Sequence, residues 1–331
     1  MTSESNTVST YLAAVDEVTL SMDTHDLLDQ WLRLGSRQVA TNGIELRVVE
    51  HGDGPAVLFC HGFPELGFSW RHQVFTLAEA GFRTLTPDMR GYGGSSRPGR
   101  IEDYDMATLC ADLVGVLDEV GVEDAIFVGH DWGASVVWQV ALRHPERVRA
   151  VAGLSVPATP RSAAPPLPIL RSRLGDDFYM CWFQEPGRAD AELALDVRRT
   201  LLQDDVVSAR DLLSGNGSEM PTPAWLSEDE LGYYIATFTT TGFTGGLNYY
   251  RNLDRNWELS AHLADAKIYQ PALFIAGSED AVIRFTPTTK MASVLCDLRA
   301  SVVLDGAGHW IQQERAAEVS AALIDFARSV G

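Results

Sequence analysis

The chain has 331 residues, 46% of them hydrophobic, enough for one large core or a core with a smaller inserted domain. Its 26 basic and 45 acidic residues give a formal net charge of −19, which argues against nucleic acid or an anionic membrane surface as partner. Cys60, Cys110, Cys181 and Cys296 are widely spaced, with no Cys-x-x-Cys pair and no His/Cys cluster at metal-ligand spacing, so they read as buried free thiols and no metal is expected.

Met1 to about Ser21 carries Glu4 and Asp16 where a secretory leader would have basic residues and a long apolar core. No stretch approaches the roughly 18 uncharged residues of a membrane span, so the expectation is a cytoplasmic protein. Residues 1–35 are read as a partly flexible N-terminal extension, with Met22 as a second plausible start. From Arg37 to Glu50, hydrophobic alternation around Asn42-Gly43 predicts a hairpin. Ala56–Cys60 is a continuous apolar run, the pattern of a strand buried on both faces. The His61-Gly62-Phe63-Pro64-Glu65 segment that follows is expected to turn tightly and leave the Phe63 N–H facing a cavity, with His61 in a structural role.

Phe82–Thr86 predicts a further strand, leading into the glycine-rich Asp88–Ser96 loop. That loop lacks the Lys-Ser/Thr of a phosphate loop and the glycine spacing of a dinucleotide site, so it reads as a turn that maintains the fold. Tyr104–Val120 is an amphipathic helix with Leu109, Leu113, Val116, Leu117 and Val120 on one face. A strand at 125–130 then meets Gly129-His130-Asp131-Trp132-Gly133 and a helical stretch, and Val148–Leu154 is another strand.

After Val156 the texture changes. Residues 158–170 are Pro- and Ala-rich and read as an extended hinge, and residues 172–263 show helical patterns without strand alternation. Strand runs resume at 272–277 and 300–304, each entering a polar loop, and a helix over 316–330 closes the chain. Alternating strands and helices imply an α/β fold with a mostly parallel, doubly wound sheet. Its core is expected over residues 36–156 and 264–331, with a helical lid inserted at 157–263.

Chemistry concentrates at the strand ends, where open α/β sheets bind their ligands. An Asp-x-Gly after a strand is ordinarily a helix cap, but glycines on both sides of Asp131 mark a strained turn that presents one side chain at the strand tip. Such turns usually carry serine. A carboxylate there is already ionised at neutral pH, attacks a polarised carbon directly, and forms an ester that must later be hydrolysed. His309 and Asp280 follow two later strands, giving the chain order nucleophile, acid, histidine. His309 would activate water, Asp280 would orient it, and the N–H groups of Phe63 and Trp132 would form an oxyanion hole. Phe63, Trp132 and Trp310 are expected to wall the substrate pocket.

The segments His61–Pro64, Asp88–Gly93, Gly129–Gly133 and Gly306–Trp310 together resemble the soluble epoxide hydrolase family of the α/β-hydrolase fold, and the likeness runs from about Arg37 to the C-terminus. The core segments alone are shared with haloalkane dehalogenases, which also use an Asp nucleophile. Within the lid, Phe178–Gly187 resembles the family segment bearing one tyrosine, at Tyr179, and Gly246–Asn252 resembles the second, at Tyr250, with Tyr249 its competitor and Tyr233 and Tyr234 read as packing. The resemblance implies a cofactor-independent enzyme acting on a small apolar epoxide, with two phenols polarising the ring oxygen and Asp131 opening the ring; a homodimer is allowed. A dehalogenase with the same nucleophile and a non-catalytic binding protein of the same fold are the competing readings.

Overall fold

The computed structural model of the chain describes residues 27–203, 206–286 and 288–331. The expectations for residues 1–26, including the start at Met22, lie outside the described residues. Leu27–Leu34 forms helix α1, whose Trp31 is fully buried with its ring 5.6 Å from that of Phe68. The hairpin forms as strands β1 (Arg37–Thr41) and β2 (Ile44–His51), Thr41 pairing with Ile44. Asn42 and Gly43 both take positive φ, 46° and 76°, as a two-residue hairpin turn requires.

Strands and helices then alternate as β3 (Ala56–Cys60), α2 (Arg71–Glu79), β4 (Arg83–Pro87), α3 (Met106–Glu119), β5 (Ala125–His130), α4 (Trp132–Arg143) and β6 (Val148–Leu154). The helix expected from Tyr104 starts at Met106, because the Asp105 carboxylate caps it by accepting the Thr108 N–H at 2.9 Å. Its Leu109, Leu113, Val116 and Leu117 are buried against the sheet side, and Val120 is half-buried.

Between β6 and the next strand the described residues form helices: α5 (Pro166–Leu174), α6 (Tyr179–Trp182), α7 (Arg188–Ala194), α8 (Val197–Leu201), α9 (Ala209–Leu212), α10 (Glu228–Thr241), α11 (Thr244–Arg251) and α12 (Leu253–Leu259). We call this segment the cap. The Pro-rich hinge is shorter than expected: Pro166 opens α5, where its missing N–H costs no helical bond.

The core resumes with β7 (Ile268–Gly277), α13 (Ala281–Phe285), β8 (Leu295–Leu304), α14 (Ile311–Glu314) and α15 (Ala316–Ser329). Strands β7 and β8 start earlier than their apolar runs: in β7 the run 272–277 is the fully buried stretch, whereas in β8 the run 300–304 alternates half-buried and exposed positions up to buried Leu304. The sheet runs β1-β2-β4-β3-β5-β6-β7-β8, with β1/β2 and β2/β4 antiparallel and the other pairs parallel. Every side chain of β3 and β5 is buried, which is why they read as unbroken apolar runs. Cys60, Cys110 and Cys181 are buried as expected, but Cys296 is exposed, because β8 is an edge strand whose alternate side chains face solvent. No described helix is long and apolar enough to cross a membrane.

Candidate active site

Strand β5 delivers Asp131 to a turn with φ 51° and ψ −119°, a strained conformation held by the strand before it and the helix after it. The glycines flanking it are sterically required. A Cβ on Gly129 would lie 2.2 Å from the Gly133 carbonyl oxygen, and one on Gly133 would lie 2.0 Å from that of Cys60. The Phe63 N–H donates to Asp131 Oδ1 at 2.8 Å, and the Trp132 amide also favours the ionised carboxyl, so the two expected oxyanion donors converge on one side chain. Burial lifts the Asp131 pKa above its ordinary value, against the pull of His309, His130 and these amides.

Asp280 and His309 stand on the loops after β7 and β8. His309 Nδ1 is 3.1 Å from both Asp280 oxygens, and its Nε2 is 3.8 Å from Asp131 Oδ2. Burial disfavours the imidazolium, but the facing carboxylates of Asp280 and Asp131 outweigh it and lift His309 to about 10. Burial likewise opposes the Asp280 charge, yet His309 and the Val282 N–H hold it down at about 2.

A cavity of about 390 Å³ opens over these groups. Asp131, Asp280 and His309 line it from the core, and Tyr179 of α6 and Tyr250 of α11 line it from the cap. The two phenol rings are 5.9 Å apart and buried, and their pKa values are pushed well above 10, first by burial and then by the Asp131 charge, so both keep their protons at neutral pH. Tyr249, the competitor, points elsewhere: its hydroxyl donates to the Arg90 carbonyl at 2.9 Å. Tyr233 and Tyr234 pack on Phe68, with ring separations of 5.1 and 5.6 Å. Phe63 and Trp310 line the cavity as expected. Trp132 does not: its indole packs edge-on against Tyr249 and Tyr250, behind the cavity wall, and its hydrogen bond to Tyr250 favours the tyrosinate.

His61 is structural, its Nε2 accepting the Met89 N–H at 2.9 Å. Asp88, opening the glycine-rich loop, accepts the Gly67 and Gly94 amides and pairs with Arg47. Four residues around the site escaped the sequence reading. Buried Glu65 accepts the Gly62 N–H at 2.7 Å and contacts His130 Nδ1 at 2.8 Å, while His130 Nε2 reaches the His309 carbonyl at 2.8 Å. The Ser155 hydroxyl donates to the same carbonyl at 3.1 Å, and Glu314 accepts the amides of Gly308 and Trp310. The one available signal was an acid at position 65 in an otherwise apolar turn.

Comparison with known proteins agrees with this geometry. The alpha/beta hydrolase fold family matches residues 55–316. The chain is 54% identical over 309 residues to epoxide hydrolase A of Mycobacterium tuberculosis, covering 88% of this chain and 96% of that one. It is 41% identical over 303 residues to epoxide hydrolase 1 of Siraitia grosvenorii, covering 87% and 96%. The crystal structure of epoxide hydrolase A from Mycobacterium thermoresistibile superposes with a TM-score of 0.85 at 51% identity, covering 89% of this chain and 98% of that one. With a carboxylate where serine is usual, a histidine and acid behind it and two tyrosines opposite, the chain belongs to the epoxide hydrolases of the α/β-hydrolase fold.

Proposed function

We propose that the chain hydrates epoxides to vicinal diols through an ester on Asp131. The observation that carries this is the meeting of a nucleophilic triad and two protonated phenols on one cavity. An epoxide oxygen becomes an alkoxide as its ring opens, so it needs weak acids that remain protonated at neutral pH, and Tyr179 and Tyr250 meet that need. Asp131 Oδ1 is occupied by the Phe63 amide, which leaves Oδ2 to attack the ring carbon. The C–O bond breaks, its electron pair goes to the ring oxygen, and a phenol supplies the proton. In the second half, water adds to Asp131 Cγ as His309 takes its proton, and the developing oxyanion lies on Oδ1 against the Phe63 and Trp132 amides. Collapse breaks the bond between Cγ and Oδ2, His309 returns its proton to the departing alkoxide, and the proton left by the added water restores the phenol, so the diol carries away an oxygen that began on the protein.

Halide release needs N–H donors at the nucleophile and no phenol. The Trp132 indole is engaged with Tyr250 and stands outside the cavity wall, which disfavours the dehalogenase reading. A non-catalytic binder would have no need of the aligned Asp131, His309 and Asp280. A single turnover with excess enzyme in heavy-oxygen water tests the proposal. Diol free of label is expected, and labelled diol in that first turnover excludes the covalent route.

A further inference from the structure

We infer that Glu314 is a positioning residue for His309, and that its carboxylate governs the ester-hydrolysis half of the reaction selectively. The inference rests on the epoxide hydrolase reading above. Gly308 N–H donates to Glu314 Oε2 at 2.7 Å and Trp310 N–H donates to Oε1 at 2.8 Å, so one carboxylate holds the amide of the residue before the histidine and that of the residue after it. Hydrogen bonds to a charged acceptor are the strong class, and two on one side chain also fix orientation.

The loop needs such a clamp. Its first half is held, with the Gly306 N–H on Ser278 Oγ at 2.9 Å and the Ala307 carbonyl accepting the Glu279 N–H at 3.0 Å, but Gly308 then leaves the backbone beside the histidine without a side chain to fix it. The His309 carbonyl is tied inward to His130 and Ser155. Among the described residues, the Gly308 and Trp310 amides are tied through Glu314. Gly308 lets the carboxylate come close, since a Cβ there would lie 3.1 Å from Oε1. Glu314 follows from the first turn after the loop, α14, so loop and clamp come from one short stretch of chain.

The two half-reactions depend on this loop unequally. Ring opening uses Asp131, Tyr179 and Tyr250; Glu314 lines the same cavity, but the hydrogen bonds its carboxylate accepts are those of Gly308 and Trp310. Ester hydrolysis requires His309 Nε2 to be aimed at a water beside Asp131, where a displacement of about 1 Å is worth about a hundredfold in rate. Loosening the loop should therefore leave alkylation intact and stall the intermediate.

Rapid mixing of Glu314→Ala with a reactive aryl epoxide, followed by intact-mass detection of the Asp131 adduct and by steady-state kinetics, tests this. The expected result is a fall in kcat of about 10- to 100-fold with a parallel fall in KM, kcat/KM within about threefold of the parent, and adduct on nearly every active site. Glu314→Gln is isosteric, keeps one acceptor oxygen and should fall between parent and Ala variant; it carries the same test if the Ala variant does not fold. An unchanged kcat, or a loss of kcat and kcat/KM together in proportion to the titratable sites, overturns the inference, the latter because it marks a merely structural role. Absence of adduct and diol in the parent enzyme would instead overturn the epoxide hydrolase reading itself.

Discussion

At residue scale, adjacent tyrosines on α11 divide the work. Successive helical residues point about 100° apart, so Tyr250 meets the cavity while Tyr249 turns to the Arg90 carbonyl. Tyr250→Phe should lower kcat/KM for ring opening by about 10²- to 10⁴-fold, the usual worth of a general acid, with the fold retained by circular dichroism. Tyr249→Phe leaves a buried carbonyl short of a donor; it should cost about 1–3 kcal/mol in urea unfolding and spare ring opening. The charges on His309 and Asp280 make stability depend on pH. His309 has a folded pKa near 10 against 6.5 ordinarily, so its contribution is complete below 6.5 and is lost as pH rises through about 10. Asp280, held at about 2 against 3.8, contributes above 3.8 and loses that as pH falls through about 2. His309→Gln should flatten the decline in melting temperature between pH 7 and pH 10, measured by calorimetry. The proposed ester hydrolysis has the opposite demand, since His309 would have to be neutral to accept the water's proton. Esterifying Asp131 removes one of the carboxylates that hold the imidazolium, so the adduct should accumulate at acidic pH.

At the scale of elements, the strand-turn-helix of the nucleophile is packed to the limit of its backbone. Gly62, in the turn after β3, faces the carboxylate: a Cβ there would stand 2.5 Å from both Asp131 Cβ and Oδ1. Gly62→Ala should abolish diol formation while leaving the far-UV spectrum of the sheet in place, because the clash falls on the nucleophile rather than on a strand. This part of the site was legible in the sequence because it is local. A buried strand, a glycine-flanked Asp and a glycine-flanked His each announce themselves within about ten residues. Glu65 with His130 was not legible as a pair, since the contact spans 65 positions and the acid at 65 does not by itself name its partner. Glu314 was not legible either, since an acid just before a helix carries no signal of its own. Trp132, expected as a pocket wall, packs against Tyr249 and Tyr250, since the first residue of α4 points toward the cap helices.

At the scale of the whole molecule, the site exists only where cap meets core, and one buried ion pair spans that seam. Arg71 of α2, with no exposed surface, donates to Glu230 of cap helix α10 at 2.5 Å and to Gln313 of α14 at 2.6 Å. Removing one partner strands the other charge, so Arg71→Ala should cost about 3–5 kcal/mol in denaturant unfolding. Sequence patterns gave the alternation of the core and the helical character of the cap, but not this seam, because an arginine on α2 reads as surface until a second segment covers it. The packing of α1 through Trp31 escaped for the same reason. The seam also governs the handedness of the product. In the proposed mechanism the carboxylate would approach from the sheet side while the phenols hold the oxygen from the cap side, so substitution would proceed from the rear of the breaking bond. The attacked carbon then inverts, and a ring-fused substrate such as cyclohexene oxide should emerge solely as its trans isomer, which gas chromatography of the diols would reveal.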